Sequence, residues 1–206
     1  MILISIDPGL NGGLCRINTV TNTLTVIRMP TRTVIDKLAI TVFARDKAGK
    51  KILIKSGSNK GNYKAIIKTP AKTHKELDCN AISDFFIAEN STTEPTQLVI
   101  ESPAMSFGNS ASSTASTNRN FGKLLAIAEL MYIPLRQVPP HVWKGALELG
   151  RDKQVAISAA EELLAKSPIE PNQQTFTSAE DGLAESILIA YHYNKSIFGE
   201  TNEQST

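Results

Sequence analysis

The sequence predicts an α/β domain: a five-stranded mixed sheet, its first three strands antiparallel, flanked by helices on both faces. Three observations carry this. Residues 2–6 and 97–100 are short apolar runs, each ending at an acid, Asp7 and Glu101, as buried strands do when they reach a surface. The first three strand-like runs follow one another through turns too short to hold a helix, which makes them antiparallel. From residue 76 onward, stretches with helical spacing alternate with strands, the pattern of parallel crossovers.

The elements follow in order. Ile2-Leu3-Ile4-Ser5-Ile6 is a strand, and Asp7-Pro8-Gly9 with Gly12-Gly13 turns the chain tightly into a returning strand at 13–17. A third strand spans 24–29 and stops at Pro30. Residues 76–88, with Leu77, Ile82, Phe85 and Phe86, have amphipathic helical spacing. The strand ending at Glu101 is closed by Pro103, and residues 104–120 are small and polar. That segment reads as a low-complexity linker or as a substrate-facing loop presenting Phe107. Residues 121–131 form a helix that is apolar on most faces, buried against another element or a second subunit. A strand at 133–138 ends at Pro139-Pro140, and 141–149 is a short helix bearing Trp143 beside Lys144. Asp152 caps a helix over 153–166, and 167–176 is a loop. Ser178 is the expected cap of a last helix running to about residue 195, and 197–206 reads as a flexible tail.

At 206 residues the chain suits one sizeable domain with its own core. Net charge of +2 and a pI near 8.5 say little on average, but the distribution is uneven. Between residues 44 and 75 ten Lys and Arg, including Lys50, Lys51, Lys55 and Lys60, face only Asp46. This basic insert, at about 30–75, contains strand-like runs at 51–55 and 63–67 and reads as a hairpin or flap. It either touches a polyanion or keeps the protein soluble. Cys15 and Cys79 are far apart, and His74, His141 and His192 are scattered, so neither a disulfide framework nor a zinc site is indicated. No run of eighteen apolar residues occurs, and the first residues are unlike a signal peptide. The expectation is a soluble, cytoplasmic protein with no membrane partner.

The acids bear the chemistry. A strand at 97–101 parallel to the first strand would set Asp7 and Glu101 on neighbouring strand ends. Asp181 and Glu185, four apart, share one face of the last helix. Like charges so placed repel by up to roughly 0.5 kcal/mol on an exposed helix, and a cation between them reverses the sign. An acidic first turn that complements the helix dipole covers Glu180 and Asp181, but not Glu185. Four carboxylates without Cys or His favour hard cations, Mg²⁺ or Mn²⁺, and a two-metal site suits phosphodiester hydrolysis. The alternative for Asp7 alone is a solvated Asp-Pro-Gly turn.

Asp7-Pro8-Gly9, Val99-Ile100-Glu101, Val142-Trp143-Lys144, Asp152-Lys153 and Asp181-Gly182-Leu183-Ala184-Glu185 occur in an order and spacing that resemble RuvC-type Holliday junction resolvases, above all their bacteriophage versions. The resemblance covers residues 1–29 and about 97–193 and leaves out the basic insert. It implies an RNase H-like fold and a homodimer that cuts four-way junctions and other branched DNA with two Mg²⁺ ions, leaving 5′-phosphate and 3′-hydroxyl ends in a host cytoplasm. It further implies Asp7, Glu101, Asp181 and Glu185 as metal ligands, Lys144 and Lys153 near the scissile backbone, and Phe107 at the crossover. Many bacterial members carry two acids three apart on the last helix. Here Ser178 holds that place, so it is not assigned as a ligand.

Other readings remain open at this level. A nuclease of the same fold could act on flaps, forks or RNA. A non-catalytic binder of DNA branches would not need four acids to converge. An ATP-binding protein of the actin and sugar-kinase type shares the Asp-x-Gly turn but needs a duplicated lobe with another Gly-rich phosphate loop, and neither is found in these 206 residues.

Overall fold

The computed structural model describes residues 1–37, 40–52, 62, 64–69, 72–87, 94–103, 111–150, 152–171 and 180–198. It divides into two compact units, one made of Met1–Thr31 with Leu77–Thr206, the other of Arg32–Glu76.

The larger unit is built on one sheet. Its strands are β1 (Ile2–Ile6), β2 (Gly13–Asn18) and β3 (Thr23–Arg28), then, beyond the second unit, β8 (Thr96–Glu101), β9 (Leu135–Val138) and the two-residue β10 (Glu170–Pro171). The order across the sheet is β10-β3-β2-β1-β8-β9. The pairs β1–β2 and β2–β3 are antiparallel, and β1–β8 and β8–β9 are parallel. This is the mixed sheet expected, with β10 added at one edge, parallel to β3. Two residues, one of them a proline, leave no periodicity to read in a sequence.

Alternation along the strands feeds two cores. Ile2, Ile4, Ile6, Leu98 and Ile100 face one side, with Ile82, Phe85 and Phe86 of α1 (Cys79–Ile87) and Leu124, Ile127 and Ala128 of α2 (Ala111–Leu130). Leu3, Cys15, Ile17, Val99 and Val138 face the other. Against them lie Trp143 of α3 (Pro140–Ala146), Ala156, Ile157 and Ala160 of α4 (Lys153–Lys166), and most of α5 (Asp181–Tyr193). Each fully buried Ile or Leu contributes about 1.5–3 kcal/mol. Among the described residues no helix is long and apolar enough to cross a membrane.

Several boundaries differ from expectation. Helix α1 starts at Cys79, because Asp78 caps it by accepting the N–H of Ala81 at 3.2 Å, while Glu76 and Leu77 end a strand. Helix α2 begins at Ala111, ten residues before the expected start, so 111–120 is helix rather than linker or loop. Those residues include no Gly or Pro to stop a helix growing back from its apolar half. The apolar face of that half is core: Leu124, Ile127 and Ala128 are buried and Phe121, Leu125 and Met131 pack on them. Leu130 and Tyr132, near the helix end, stay exposed. Helix α3 stops at Ala146, and α5 stops at Tyr193, where a 3₁₀ turn over Lys195–Phe198 follows. Phe198 is buried and Ile197 packs on the same core, so the tail expected from residue 197 does not begin there. Asp152 caps α4 as expected, accepting the Gln154 N–H at 2.9 Å. Ser178 lies outside the described residues.

The second unit holds β4 (Thr31–Lys37) beside β7 (Lys72–Leu77) and β5 (Ile40–Phe43) beside β6 (Ala65–Thr69), with strand ends reaching its borders. Of the expected strand at 51–55, Lys51 bridges to Arg45, and the rest from residue 53 lies outside the described residues. The partner of the run at 63–67 is instead β5.

Candidate active site

Parallel pairing of β1 with β8 puts Ile6 opposite Ile100, so Asp7, just past β1, and Glu101, the last residue of β8, come side by side. Glycine brings the third element in. The Asn11-Gly12-Gly13 backbone lies directly against the start of α5, with Gly12 bridged to Gly182. A Cβ on Gly182 would stand 2.4 Å from the Asn11 carbonyl oxygen, and one on Gly13 2.5 Å from the Gly182 oxygen. Below this contact the Ser5 hydroxyl donates to the Ser186 carbonyl at 2.6 Å, tying mid-β1 to α5. Asp181 and Glu185 are thereby delivered beside Asp7.

The electrostatics record that convergence. Asp7 keeps part of its surface open to the cleft, but its carboxylate is enclosed by protein. Its pKa is pushed up to about 7, first by loss of water and then by the charges of Glu185, Glu101 and Asp181, with the Gly9 N–H pulling the other way. Glu101 is also raised, mainly by burial. The Trp143 indole N–H, donated to its Oε2 at 2.7 Å, opposes the rise by stabilising the anion. Glu185 accepts from Lys144 Nζ and Asp181 from Lys153 Nζ, each at 2.6 Å. The Asp181 contact raises the pKa of Lys153. A cleft of about 510 Å³, lined by Asp7, Gly9, Leu10, Asn11, Gly12, Lys153 and Asp181, opens beside the acids.

The structure brings Asp7, Glu101, Asp181 and Glu185 near one another, with Lys144 on Glu185 and Lys153 on Asp181. Glu180, the cap residue just before α5, pairs instead with Arg28 at the end of β3. Lys50 and Lys51 are exposed residues of the second unit, whereas Phe107, Lys55 and Lys60 lie outside the described residues. Two contributors were missed by sequence reasoning. Trp143 was noted only as the neighbour of Lys144 in a motif, and Gly182 only as part of another. A Gly directly after the acid at a helix start was the available signal for the second.

Among the described residues no three acids, histidines or cysteines form a ready-made metal shell. The donors nonetheless fit a hard cation in kind: all are carboxylate oxygens, the innermost is crowded by three other negative charges, and two ammonium groups among the described residues offset them. Removing those two lysine contacts is expected to show how much they matter. Lys144→Ala and Lys153→Ala should each lower the metal-free melting temperature, Lys144 more because its partner pair is less exposed, as thermal unfolding would report.

No protein-family model matches the sequence, and no curated protein matches it. Among solved structures, the chain is similar to "T. thermophilus RuvC in complex with Holliday junction substrate". Identity is 15%, the TM-score is 0.45, and the match covers 93% of this chain and 92% of that one. It is similar also to "Thermus thermophilus RuvC structure", at 14% identity and a TM-score of 0.46, covering 96% and 98%. At TM-scores below 0.5 this likeness carries no weight for what the cleft does.

Proposed function

We propose that the chain is a metal-dependent endonuclease that cuts branched DNA, four-way junctions above all, leaving 5′-phosphate and 3′-hydroxyl ends on an RNase H-like fold of the RuvC type. One observation carries the proposal: Asp7, Glu101, Asp181 and Glu185 come from three separate elements and raise one another's charge density at one cleft. A fold gains no stability by gathering four carboxylates against two lysines, so such a cluster is best explained by a cation that binds there.

Asp7, at the end of β1, is the fixed ligand, with Glu101, Asp181 and Glu185 around it. Two Mg²⁺ ions, or Mn²⁺ in their place, would supply an activated water and stabilise the leaving oxygen. The chain's own groups prepare the site. The Trp143 N–H favours the ionised form of Glu101 against its burial and holds its Oε2. Lys144 and Lys153 neutralise Glu185 and Asp181 and are the cations positioned to meet a phosphate entering the cleft. Phe107, seven residues after the Glu101 strand's last but one position, belongs to the same reading as a crossover contact. Because a four-way junction is nearly two-fold, resolving it calls for two such sites, hence a homodimer. A bacteriophage protein working in a host cytoplasm completes the reading.

The test is a panel of a mobile junction, a fixed junction, a flap, a linear duplex and an RNA–DNA hybrid, each incubated with Mg²⁺. Junctions should be cut in preference to duplex. Preference for the hybrid or the flap would move the function to those substrates, and no cutting of any of them would refute nuclease activity.

A further inference from the structure

Charge is divided unequally between the two units. Arg32–Glu76 carries twelve Lys and Arg against three acids, net +9, while the rest of the chain carries ten against seventeen, net −7. With the four cleft carboxylates left out, the larger unit is still −3. A polyanion is repelled by such a unit within a Debye length of about 8 Å at physiological salt, so its own field does not draw DNA in.

In the smaller unit the acids are already engaged. Glu76 pairs with Arg32 at 2.7 Å, and Asp36 faces His74 Nδ1 at 2.8 Å. Asp46 accepts the backbone N–H groups of Ala48 and Lys50, both at 2.9 Å, closing a turn in which Gly49 takes φ +79°. Its charge is thus spent on the backbone. Lys47, Lys50, Lys64, Lys72 and Lys75 are all exposed. A loop serving only solubility needs neither a compact fold nor an acidic counterpart elsewhere in the chain.

We propose that Arg32–Glu76 is the DNA-holding unit, gripping the phosphate backbone of duplex arms irrespective of sequence, while the acidic unit does the cutting. The proposal rests on the DNA reading of the cleft and adds where the affinity comes from. Each phosphate contact should contribute about 0.9 to the slope of log affinity against log salt.

The experiment uses the full chain with Lys47, Lys50, Lys64 and Lys72 replaced by Ala, a second variant with Gln at the same positions to guard against a folding effect, and Lys166→Ala as a control. Affinity for a junction and for a linear duplex is measured in EDTA across a salt series. Both four-site variants should bind both DNAs more weakly and lose about 3–4 from the slope, while Lys166→Ala matches wild type. An unchanged slope in both variants overturns the proposal, even if wild type cuts junctions. A reduced slope in a protein whose wild type cuts nothing sustains it and rejects the cleft reading instead.

Discussion

Asp7→Asn is expected to reduce cutting by orders of magnitude and, in the absence of metal, to make the protein more stable at pH 8. The two effects share one cause. Asp7 releases its proton near 3.8 when unfolded and at about 7 when folded, where burial and the charges of Glu185, Glu101 and Asp181 oppose ionisation. Between those pH values the folded state binds more protons than the unfolded one. Stability is therefore lost as pH rises through that window, and the loss is complete above about 7. The cost is on the order of 4 kcal/mol at most, less because the cleft admits water. Asn keeps the acceptor for the Gly9 N–H without the charge. Its gain in melting temperature, several degrees at pH 8, should shrink to nothing as pH falls towards 4. Metal-free affinity for a junction should stay near wild type. Equal melting temperatures for the two proteins at pH 8 would mean that the neighbouring carboxylates do not crowd Asp7.

Gly182→Ala should be among the most damaging single-methyl changes in the larger unit. Its Cβ would meet the Asn11 oxygen at 2.4 Å and the Gly12 Cα at 2.5 Å, both backbone atoms that cannot swing away. Relief requires α5 to back off from the turn, breaking the Gly12–Gly182 bridge and drawing Asp181 and Glu185 away from Asp7. A loss of about 3 kcal/mol is the expected scale, or roughly 6–12 °C in melting temperature. Cutting measured well below the melting point should fall too, because the helix carries two of the acids. Gly145→Ala, in α3 with nothing within 4 Å of the added Cβ, is the matched control and should be neutral or slightly stabilising.

What the sequence revealed and what it hid have physical reasons. β1, β2, β3 and β8 were legible because each is a short apolar run closed by a turn, a proline or an acid. The pairing that sets Asp7 beside Glu101 was expected from strands alternating with helices and from the acid that ends each of the two strands. The N-terminal half of α2 was hidden because its residues, Ser, Thr and Ala around Asn118 and Arg119, are solvated and carry no apolar stripe. Within the stretch read as a hairpin or flap, the pairing of β4 with β7 was not legible, because it joins strands far apart in sequence, which short-range turn signals do not encode. At the site the acids were legible as chemistry, since four carboxylates at strand and helix ends are hard to explain as surface. The Gly12–Gly182 contact and the Trp143–Glu101 hydrogen bond were not, because each joins residues far apart in sequence.

Direct titration with Mn²⁺ in the absence of DNA tests whether these acids form one cation site. Calorimetry and the electron paramagnetic resonance of free Mn²⁺ should show binding to wild type and to Glu180→Gln, whose side chain is held by Arg28. Asp7→Asn and Glu185→Gln should bind far more weakly. Equal Mn²⁺ binding by all four proteins, or loss in Glu180→Gln with retention in Glu185→Gln, would contradict a cation site centred on Asp7.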